Sequence, residues 1–318
     1  HMSTARYLVT GGAGFIGSHL ADALLTRGET VRVFDNLATG REENLALLAG
    51  RAEIVRGDLR DLEAVRAAVA GVEVVFHQAA LASVPRSIAD PLTSLQVNVV
   101  GTQHVLLAAR DAGVRRVVYA SSSSVYGNTP TLPKRESMEP MPLSPYAIQK
   151  LTAELLCGAM TRIYGLETVA LRYFNVFGPR QDPLSEYAAV IPRILTALRE
   201  GRRPLIFGDG EQTRDFTYIS NVVWANLLAA ESAGAVGHAM NIGCGARISL
   251  NDVLRTAGAL LGIEAEADYA DPRPGDVRDS LADISLAGQL LGYAPAVTFH
   301  DGLEQTITAM LATPTTPA

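Results

Sequence analysis

The segment SPYAIQK places a tyrosine and a lysine four residues apart, at Tyr146 and Lys150. On a helix this spacing puts both side chains on one face. A phenol, whose pKa is about 10, is a poor base at neutral pH. A nearby ammonium group stabilises the phenolate and lowers that pKa. The pair therefore predicts a tyrosine that acts as a general base, although the spacing is too common to carry the prediction alone.

Four consecutive serines occupy positions 121–124, in the segment ASSSSVYG upstream of the tyrosine. Serine runs are most often linkers. This run directly follows an apolar, valine-rich segment, so it predicts a group of hydroxyls at the end of a buried strand. No acidic residue stands among the four. The run therefore offers hydroxyl groups, and no carboxyl group, to a reaction at this point.

A third set of residues has the spacing of a dinucleotide site. In LVTGGAGFIGSHL, Gly11, Gly14 and Gly17 stand between a strand-like run and a helical pattern. Glycines there allow a tight turn and let the backbone approach a pyrophosphate, which is then bound at the helix N-terminus. Asp35 ends the next strand-like run, where its carboxylate can accept hydrogen bonds from the adenosine ribose and would repel the extra phosphate of NADP. We therefore predict NAD binding through Gly11, Gly14, Phe15, Ile16, Gly17, Asp35 and Asn36.

The elements that must position these residues alternate along the first half of the chain. Short runs rich in valine, with few alternating polar residues, suit the strands of a parallel sheet covered on both faces. Segments with apolar residues at helical spacing lie between them, and Gly113 would end one such helix. Strand–helix alternation of this kind specifies a doubly wound fold with right-handed crossovers. The predicted strands are 6–10, 31–35, 52–58, 72–77 and 115–121.

The alternation ends near residue 175, beyond which proline and glycine become frequent. The predicted fold class is thus α/β, with a Rossmann-like doubly wound parallel sheet and a smaller mixed α/β lobe. We expect an NAD-binding domain over residues 3–175, to which later segments return, a lobe mainly for substrate over 176–312, and a frayed tail over 313–318. Trp224, in the helical pattern NVVWANLLAA, is predicted to lie in the core.

The composition argues against several classes of function. The chain has 318 residues, of which 48% are hydrophobic and 19% charged, and a formal net charge of −6. It has no run rich in lysine or arginine, so binding to nucleic acid or to a membrane surface has no electrostatic support. Its two cysteines, Cys157 and Cys244, lack the spacing of a metal site and fit a reducing compartment. No apolar run reaches the roughly 20 residues of a spanning helix, and we expect a cytoplasmic protein that needs no metal.

Six segments together resemble one family. They are TGGAGFIG, SSSSVYG, PYAIQK, LRYFNVFGPRQDP, GDGEQTRDFTYI and RPGDVRDSLADISLA, and they extend over nearly the whole chain. This set is similar to the extended short-chain dehydrogenases/reductases that act on nucleotide sugars, and most similar to the NAD-dependent 4-epimerases of UDP-hexoses. The stretch RQDP…YAAVIP, at 180–192, most resembles the branch that accepts N-acetylhexosamines, the UDP-N-acetylglucosamine 4-epimerases.

The resemblance implies catalytic roles for Ser122, Tyr146 and Lys150. Ser122 would hydrogen-bond the reacting sugar oxygen, and the phenolate of Tyr146 would take the proton of the sugar 4-hydroxyl while C4 gives a hydride to NAD. Lys150 would lower the pKa of the tyrosine and hold the nicotinamide ribose, and the 4-keto sugar would regain the hydride on its opposite face. Dehydratases and decarboxylases of this family carry an acidic residue in the serine segment. Four serines there disfavour elimination, with Ser121 and Ser124 expected to be structural.

The family pattern also implies cofactor contacts beyond the glycine motif. One pair of residues would contact the adenine, a second pair would let the backbone approach the ribose and phosphate, and a third pair would flank the other half of the cofactor. His77 is predicted to be a strand-end histidine whose polar atoms are satisfied within the protein. The three pairs are, in that order, Asp58 and Leu59, Ala79 and Ala80, and Asn98 and Tyr173.

Contacts to a UDP-sugar are implied mainly in the second half of the chain. Three residues would bind the diphosphate, a strand would hold the uracil, and an aspartate would bind the uridine ribose. Ser123 would lie beside the sugar, and Ser280 would flank the pocket for the substituent on sugar C2. The other implied substrate residues are Asn175, Arg214 and Arg273 for the diphosphate, Leu205 and Phe207 for the uracil, Asp276 for the ribose, and Val190.

Two apolar stripes predict a homodimer. One lies on the helical pattern of 92–113 and the other on the helix that carries the predicted base. In related enzymes two such helices from each subunit form a four-helix interface, so the resemblance implies a dimer with two-fold symmetry. The stripes consist of Leu95, Val99, Leu106 and Ala109, and of Leu151 and Leu155.

Two other functions stay open on the sequence. The first is a UDP-glucuronate 4-epimerase or decarboxylase on the same fold, because some glucuronate epimerases share an all-serine segment. The second is a non-catalytic protein that senses NAD, which would have no need of Ser122, Tyr146 and Lys150 together. The substituents on C2 and C6 of the sugar, and hence the preferred substrate, are not fixed by these motifs.

Overall fold

The computed structural model describes residues 5–182, 189–272 and 277–313. The strands in these ranges are β1 (Tyr7–Thr10), β2 (Val31–Asp35), β3 (Glu53–Arg56), β4 (Val74–His77), β5 (Arg116–Ser122), β6 (Glu167–Tyr173), β7 (Val176–Phe177), β8 (Leu205–Phe207), β9 (Thr213–Arg214), β10 (Thr217–Tyr218), β11 (Ala239–Ile242), β12 (Ile248–Ser249) and β13 (Asp268–Ala270). The α-helices are α1 (Phe15–Thr26), α2 (Glu42–Ala46), α3 (Leu62–Val69), α4 (Val84–Ala89), α5 (Pro91–Leu95), α6 (Gly101–Asp111), α7 (Pro145–Tyr164), α8 (Val190–Arg199), α9 (Ile219–Glu231), α10 (Leu250–Leu261), α11 (Ser285–Leu291) and α12 (Phe299–Ala312).

Seven strands form one sheet in the order β11-β6-β5-β4-β1-β2-β3. Every neighbouring pair in this sheet is parallel. From β1 the chain moves outward through β2 to β3, and then from β4 outward on the other side, so the strand order reverses between β1 and β4. Ligands of open α/β sheets bind at the carboxyl ends of the strands at such a reversal. The predicted doubly wound fold is confirmed, and its topology marks the place of the site.

The valine-rich runs become strands because both faces of the sheet are covered. Along β1, Val9 packs in a cluster that includes residues of α1 and α9, whereas its neighbour Leu8 packs in a second cluster with residues of α3, α6 and α7. Each predicted strand is present at nearly the predicted residues. The predicted helix over 92–113 is interrupted by a π-helical turn, Gln96–Val100, between α5 and α6. Among the described residues, no helix combines the length and apolarity that a membrane span requires.

The smaller lobe is built from short pieces. Strands β8 and β13 pair in parallel, β9 and β12 pair antiparallel, and α8 packs beside α10. The chain between these pieces returns to the sheet, since α9 packs on α1 and β11 pairs with β6. The boundary between the two predicted domains stays a prediction, and residues 273–276 and 314–318 lie outside the described ranges.

Two predictions about apolar faces are wrong. Trp224 on α9 is 40% exposed instead of buried in the core, with the Arg27 guanidinium 5.6 Å from the centroid of its ring. The helix is apolar around most of its circumference, so the sequence pattern does not reveal which side meets the sheet. Leu106 and Ala109 on α6 are fully buried in the core, and they cannot belong to an exposed stripe.

Candidate active site

The turn between β1 and α1 needs glycine at two positions. Gly11 has a φ of +72°, and a Cβ there would lie 2.8 Å from the Cα of Ala79. A Cβ on Gly17 would lie 2.1 Å from the carbonyl oxygen of Gly11. The turn therefore closes tightly on itself and on the loop after β4. The first amides of α1, at Phe15 and Ile16, have no acceptor within the helix and form the N-terminal end on which a pyrophosphate can bind.

Asp35 lies at the carboxyl end of β2 beside this turn. Its two carboxylate oxygens accept from the amides of Ala13, at 2.9 Å, and Leu37, at 2.7 Å, which fix its orientation. Asn36 donates to Asp58 at 3.1 Å, and the Arg60 guanidinium beside Asp58 lowers the pKa of that carboxyl group to about 2. Two acids that face one cleft, both held in place, fit the hydroxyl-rich end of a dinucleotide.

These residues line one cleft. Its wall contains most of the predicted cofactor residues, together with a loop and a strand end that the motif did not include. The loop consists of residues 38–40, shortly after Asp35. A sequence interpretation could have included them because they follow a strand end that was already assigned to the cofactor. The predicted lining residues are Gly11, Gly14, Asp35, Asn36, Asp58, Leu59, Ala79 and Ala80, and the unpredicted ones are Phe34, Ala38, Thr39, Gly40, Gly57, Gln78, Leu81 and Val97.

A chain of buried hydrogen bonds supports the loop after β4. Thr10 Oγ1 contacts His77 Nδ1 at 2.7 Å, and His77 Nε2 contacts Thr102 Oγ1 at 2.9 Å. Because Thr102 donates to a backbone carbonyl, its oxygen accepts from Nε2, and the histidine is the neutral Nε2–H tautomer. Thr10 also accepts from the amide of Ala79 at 3.2 Å. As predicted, the polar atoms of His77 are satisfied, and this chain fixes the backbone of the cofactor cleft.

Two predicted cofactor residues have their side chains engaged elsewhere. Asn98 is 2% exposed, and its amide pairs with the backbone N–H and C=O of Leu81. The hydroxyl of Tyr173 contacts Gln78 at 3.0 Å and Asn226 at 2.8 Å. Asn98 thus holds the wall of the cleft from behind, and Tyr173 fixes Gln78, which lines the cleft.

Because His77 is buried in its neutral form, we expect the folded protein to lose stability at acidic pH. Burial lowers its pKa from 6.5 to about 3, so the folded protein stays neutral there while the unfolded chain takes up a proton. The contribution of His77 to the free energy of unfolding is therefore fully present above pH 6.5 and is lost as the pH falls toward 3. The loss is at most about 1.4 kcal/mol per pH unit. Urea unfolding at pH 7.5, 6 and 5 should show this decline. His77→Gln should be less stable at pH 7.5 and decline less; a decline as steep as that of the wild type would contradict the assignment.

Helix α7 carries the predicted base. It starts where Ser144 caps it by accepting from the amide of Ala147 at 3.1 Å, with Pro145 as its first residue. Tyr146 and Lys150 project from one face toward the end of β5. Lys150 Nζ donates to the carbonyl oxygen of Ala120 at 2.6 Å and lies 5.9 Å from the centroid of the Tyr146 ring. Burial lowers the pKa of Lys150 to about 8.

The four serines separate into different environments. Ser122 ends β5; its Oγ accepts from the amide of Ser124 at 3.1 Å, and its hydroxyl is close enough to the phenol of Tyr146 to lower the pKa of that group. Ser121 donates to Glu154 at 2.7 Å and is buried. Ser123 begins a 3-10 turn that ends at Tyr126. Of the four hydroxyls, that of Ser122 is the one that meets the predicted base.

The expectation of a lowered pKa for Tyr146 is wrong for the protein by itself. Burial raises the pKa of Tyr146 to about 12, and the nearby hydroxyl of Ser122 opposes this only in part. Lys150 directs its ammonium group to the backbone oxygen of Ala120, so it does not compensate for the desolvation of the phenol. Further positive charge from the oxidised nicotinamide ring of bound NAD would lower this pKa.

A second cleft of 510 Å³ lies between the sheet and the smaller lobe. Asn175, in a strained conformation with a φ of +33°, donates to the Oγ of Ser280 at 3.3 Å and to the backbone oxygen of Asp215 at 3.3 Å. The predicted residues on this wall are Asn175, Val190, Leu205, Phe207 and Arg214, and unpredicted ones include Ser83, Gln181, Arg193 and Gln212. The predicted residues Arg273 and Asp276 lie outside the described ranges.

Asp215 was missed by the sequence interpretation. Its carboxylate is fully buried and accepts from the amides of Cys244, at 2.8 Å, Gly245 and Ala282, both at 3.0 Å. Burial raises the pKa of Asp215 to about 6, against the effect of these amides. The residue joins three loops around the second cleft, and its place in the segment QTRDF beside Arg214 was the available signal.

Comparisons with known proteins agree with this geometry. Residues 7–243 match the family described as the NAD dependent epimerase/dehydratase family. The chain is 41% identical to a UDP-glucose 4-epimerase of Mycolicibacterium smegmatis, over 95% of this chain and 97% of that one. It superposes with a TM-score of 0.92 on a UDP-N-acetylglucosamine 4-epimerase from Methanobrevibacter ruminantium in complex with UDP-N-acetylmuramic acid, at 40% identity over 98% and 99% of the two chains. A UDP-glucose 4-epimerase of Thermus thermophilus in complex with NAD gives 0.88, at 36% identity over 96% and 99%.

Proposed function

The chain belongs to the NAD-dependent epimerase/dehydratase family, and on that premise we propose that this UDP-sugar 4-epimerase interconverts UDP-GlcNAc and UDP-GalNAc. UDP-glucose and UDP-galactose are accepted as well, but bind less tightly. The observation that carries the proposal is the small side chain of Ser280, whose Oγ accepts from Asn175, a residue that lines the second cleft.

The chemistry follows from the contact between Ser122 and Tyr146. Tyr146, as a phenolate, takes the proton of the sugar 4-hydroxyl, and Ser122 hydrogen-bonds the same sugar oxygen and holds it in line. NAD, when bound, supplies the acceptor for the hydrogen at C4 and returns it. The 4-keto sugar then rotates within the cleft so that the hydrogen returns to the opposite face of C4, and Tyr146 gives the proton back to the sugar 4-oxygen. Lys150, held by the carbonyl oxygen of Ala120, is placed to hold the cofactor ribose.

Ser280 supports the N-acetylated pair of substrates. Its backbone amide donates to the carbonyl oxygen of Thr213 at 3.1 Å, which fixes the chain at this position. A serine at this position, whose Oγ accepts from Asn175, would leave free the volume that a large aromatic ring would fill. An acetamido group on C2 needs that volume, whereas a hydroxyl does not. The cleft residues Val190, Leu205, Phe207 and Arg214 are assigned to the UDP part.

A neutral sugar is favoured over a uronate. The amide of Tyr146 donates to Ser87 Oγ on α4 at 3.0 Å, so the cleft edge at 82–85 adjoins the base. The four residues at that edge are alanine, serine, valine and proline. These four residues carry no positive charge to pair with a carboxylate on C6, and the described arginines that line this cleft, Arg193 and Arg214, lie on α8 and β9 of the smaller lobe. A UDP-glucuronate 4-epimerase is therefore the second candidate, behind a hexosamine enzyme.

Initial rates with three substrates test the proposal. UDP-GlcNAc, UDP-glucose and UDP-glucuronate are incubated separately with the enzyme, and the C4 epimers are separated by chromatography. We expect kcat/KM to be highest for UDP-GlcNAc, lower for UDP-glucose and lowest for UDP-glucuronate. The highest value for UDP-glucuronate would replace this proposal with the second candidate.

Assembly into a homodimer is a further expectation. Leu95 on α5 is 44% exposed, and Leu155 on the adjacent α7 is 61% exposed, so part of the predicted stripe faces outward. Light scattering at micromolar concentration should give twice the chain mass of 33.8 kDa. Leu155→Glu should shift the mass toward the monomer, because it would place a charge in the apolar contact. A monomeric wild type would contradict the dimer.

A further inference from the structure

Three consecutive residues of β5 meet three consecutive turns of α7. The carbonyl oxygen of Ala120 accepts a hydrogen bond from Lys150 Nζ at 2.6 Å. Ser121 donates to Glu154 Oε2 at 2.7 Å, and Ser122, the next residue, has its hydroxyl close to the phenol of Tyr146. Tyr146, Lys150 and Glu154 are spaced four apart, on one face of the helix. The serine that meets the base is therefore held in register by the contacts of the two residues before it.

Glu154 is in turn fixed by Arg172 on β6. The guanidinium contacts both carboxylate oxygens, with Nε at 3.0 Å and Nη2 at 2.6 Å, and the two residues are 8% and 5% exposed. Arg172 is the register partner of Ser121 in the sheet, so the three side chains meet across one strand pair. Bidentate contact of this kind fixes orientation as well as distance.

The pair extends into a buried network on the other side. Arg172 Nη1 donates to the hydroxyl of Tyr126 at 2.8 Å, and Tyr126 donates to Asn241 Oδ1 at 2.7 Å. Asn241 lies on β11 and donates to the backbone oxygens of Lys134 and Asp283. A buried ion pair is seldom more stabilising than an apolar pair of the same volume. Its presence directly behind the serine segment points to a role in geometry.

We propose that Glu154 and Arg172 are positioning residues that hold Ser122 against Tyr146 through Ser121. The ion pair fixes the Ser121 hydroxyl, and the next residue along the strand is thereby held at the distance at which its own hydroxyl and the phenol meet one sugar oxygen. The assignment rests on the proposed epimerase function for its chemistry, and on the contacts of β5, β6 and α7 for its geometry.

Glu154→Gln tests the assignment. The amide keeps the volume of the carboxylate but not its charge, and its nitrogen only donates, so it cannot accept from Arg172 Nη2 where Oε1 now does. We expect kcat to fall about tenfold with KM changed by less than about twofold, as for the loss of one well-placed hydrogen bond. The pH profile of kcat/KM should also move to higher pH, because the nearby hydroxyl of Ser122 lowers the pKa of Tyr146.

The other groups near the phenol are the same in this variant. They are Lys150 on α7, Tyr119 on β5, and His77 on β4, whose ring centroid lies 5.8 Å from that of Tyr119. The loss of the Glu154 charge would by itself lower the pKa of Tyr146, so a profile that moves to higher pH reports on Ser122. Ser121→Ala is the milder variant, since it leaves the ion pair intact, and it should change kcat and the profile in the same direction.

Glu167→Gln is the matched control. Glu167 pairs with Arg116 at 2.7 Å on the same two strands, at their opposite ends, and kcat and the pH profile should be those of the wild type. Wild-type kcat and pH profile in Ser121→Ala, whether or not Glu154→Gln folds, would overturn the assignment. An inactive wild type would instead contradict the proposed function, so the two failures are distinguishable.

Discussion

Tyr146→Phe is expected to lower kcat by at least about a hundredfold, the usual contribution of a general base. The substitution removes one oxygen atom and keeps the ring. Lys150 retains its hydrogen bond to Ala120, and the amide of residue 146 still donates to Ser87. Fold and bound NAD should therefore be unchanged, which circular dichroism and the NAD content of the purified protein measure. Only the proton acceptor for the sugar 4-hydroxyl is lost.

A second tyrosine of the same helix provides the control. Tyr164 ends α7 and is 54% exposed, so Tyr164→Phe makes the same chemical change away from the clefts and should leave kcat unchanged. Rates are measured with saturating UDP-GlcNAc. If Tyr146→Phe kept more than a tenth of the wild-type kcat, another group would have to be the base.

Ser280→Tyr is expected to remove most of the kcat/KM for UDP-GlcNAc and UDP-GalNAc, whereas kcat/KM for UDP-glucose should stay close to the wild-type value. An aromatic ring beside Asn175 would fill the space that the acetamido group needs. Overlap of several heavy atoms costs much more than the roughly 1–3 kcal/mol that one methylene contributes to discrimination. The effect should therefore be nearly complete for one substrate class and small for the other.

Ser280→Ala separates volume from hydrogen bonding. It removes the acceptor for Asn175 Nδ2 and adds no bulk, so both substrate classes should be retained. Rates for the four UDP-sugars are compared in both variants. Equal losses for the N-acetylated and the simple hexoses in Ser280→Tyr, or no loss for either, would show that this position is not the gate.

Much of the fold could be predicted because it depends on local patterns. Valine runs buried on both faces gave the strands of the parallel sheet, and the glycine spacing gave the turn that Gly11 and Gly17 require. The faces of uniformly apolar helices could not be predicted. Trp224 lies outside for that reason, since the choice of side depends on packing between α9 and α1, which no local pattern contains.

The candidate site was predictable in its residues more than in its energetics. The sequence placed Tyr146 and Lys150 on one face, but it could not show that the ammonium group is directed to the oxygen of Ala120. The sign of the pKa shift of Tyr146 depends on that contact and on burial, and both are tertiary. Asp215 and Glu154 were missed for the same reason, because their partners are distant in sequence.

Proton NMR of UDP-GlcNAc in D₂O, with the enzyme and no NAD in the buffer, tests the central claim most directly. The account predicts that UDP-GalNAc appears and reaches equilibrium with UDP-GlcNAc. It also predicts that the product keeps a proton at C4, since the hydrogen leaving C4 is returned to it and does not exchange with solvent. A spectrum that stays that of UDP-GlcNAc, from folded protein that contains NAD, would contradict the account, as would a UDP-GalNAc product that carries deuterium at C4.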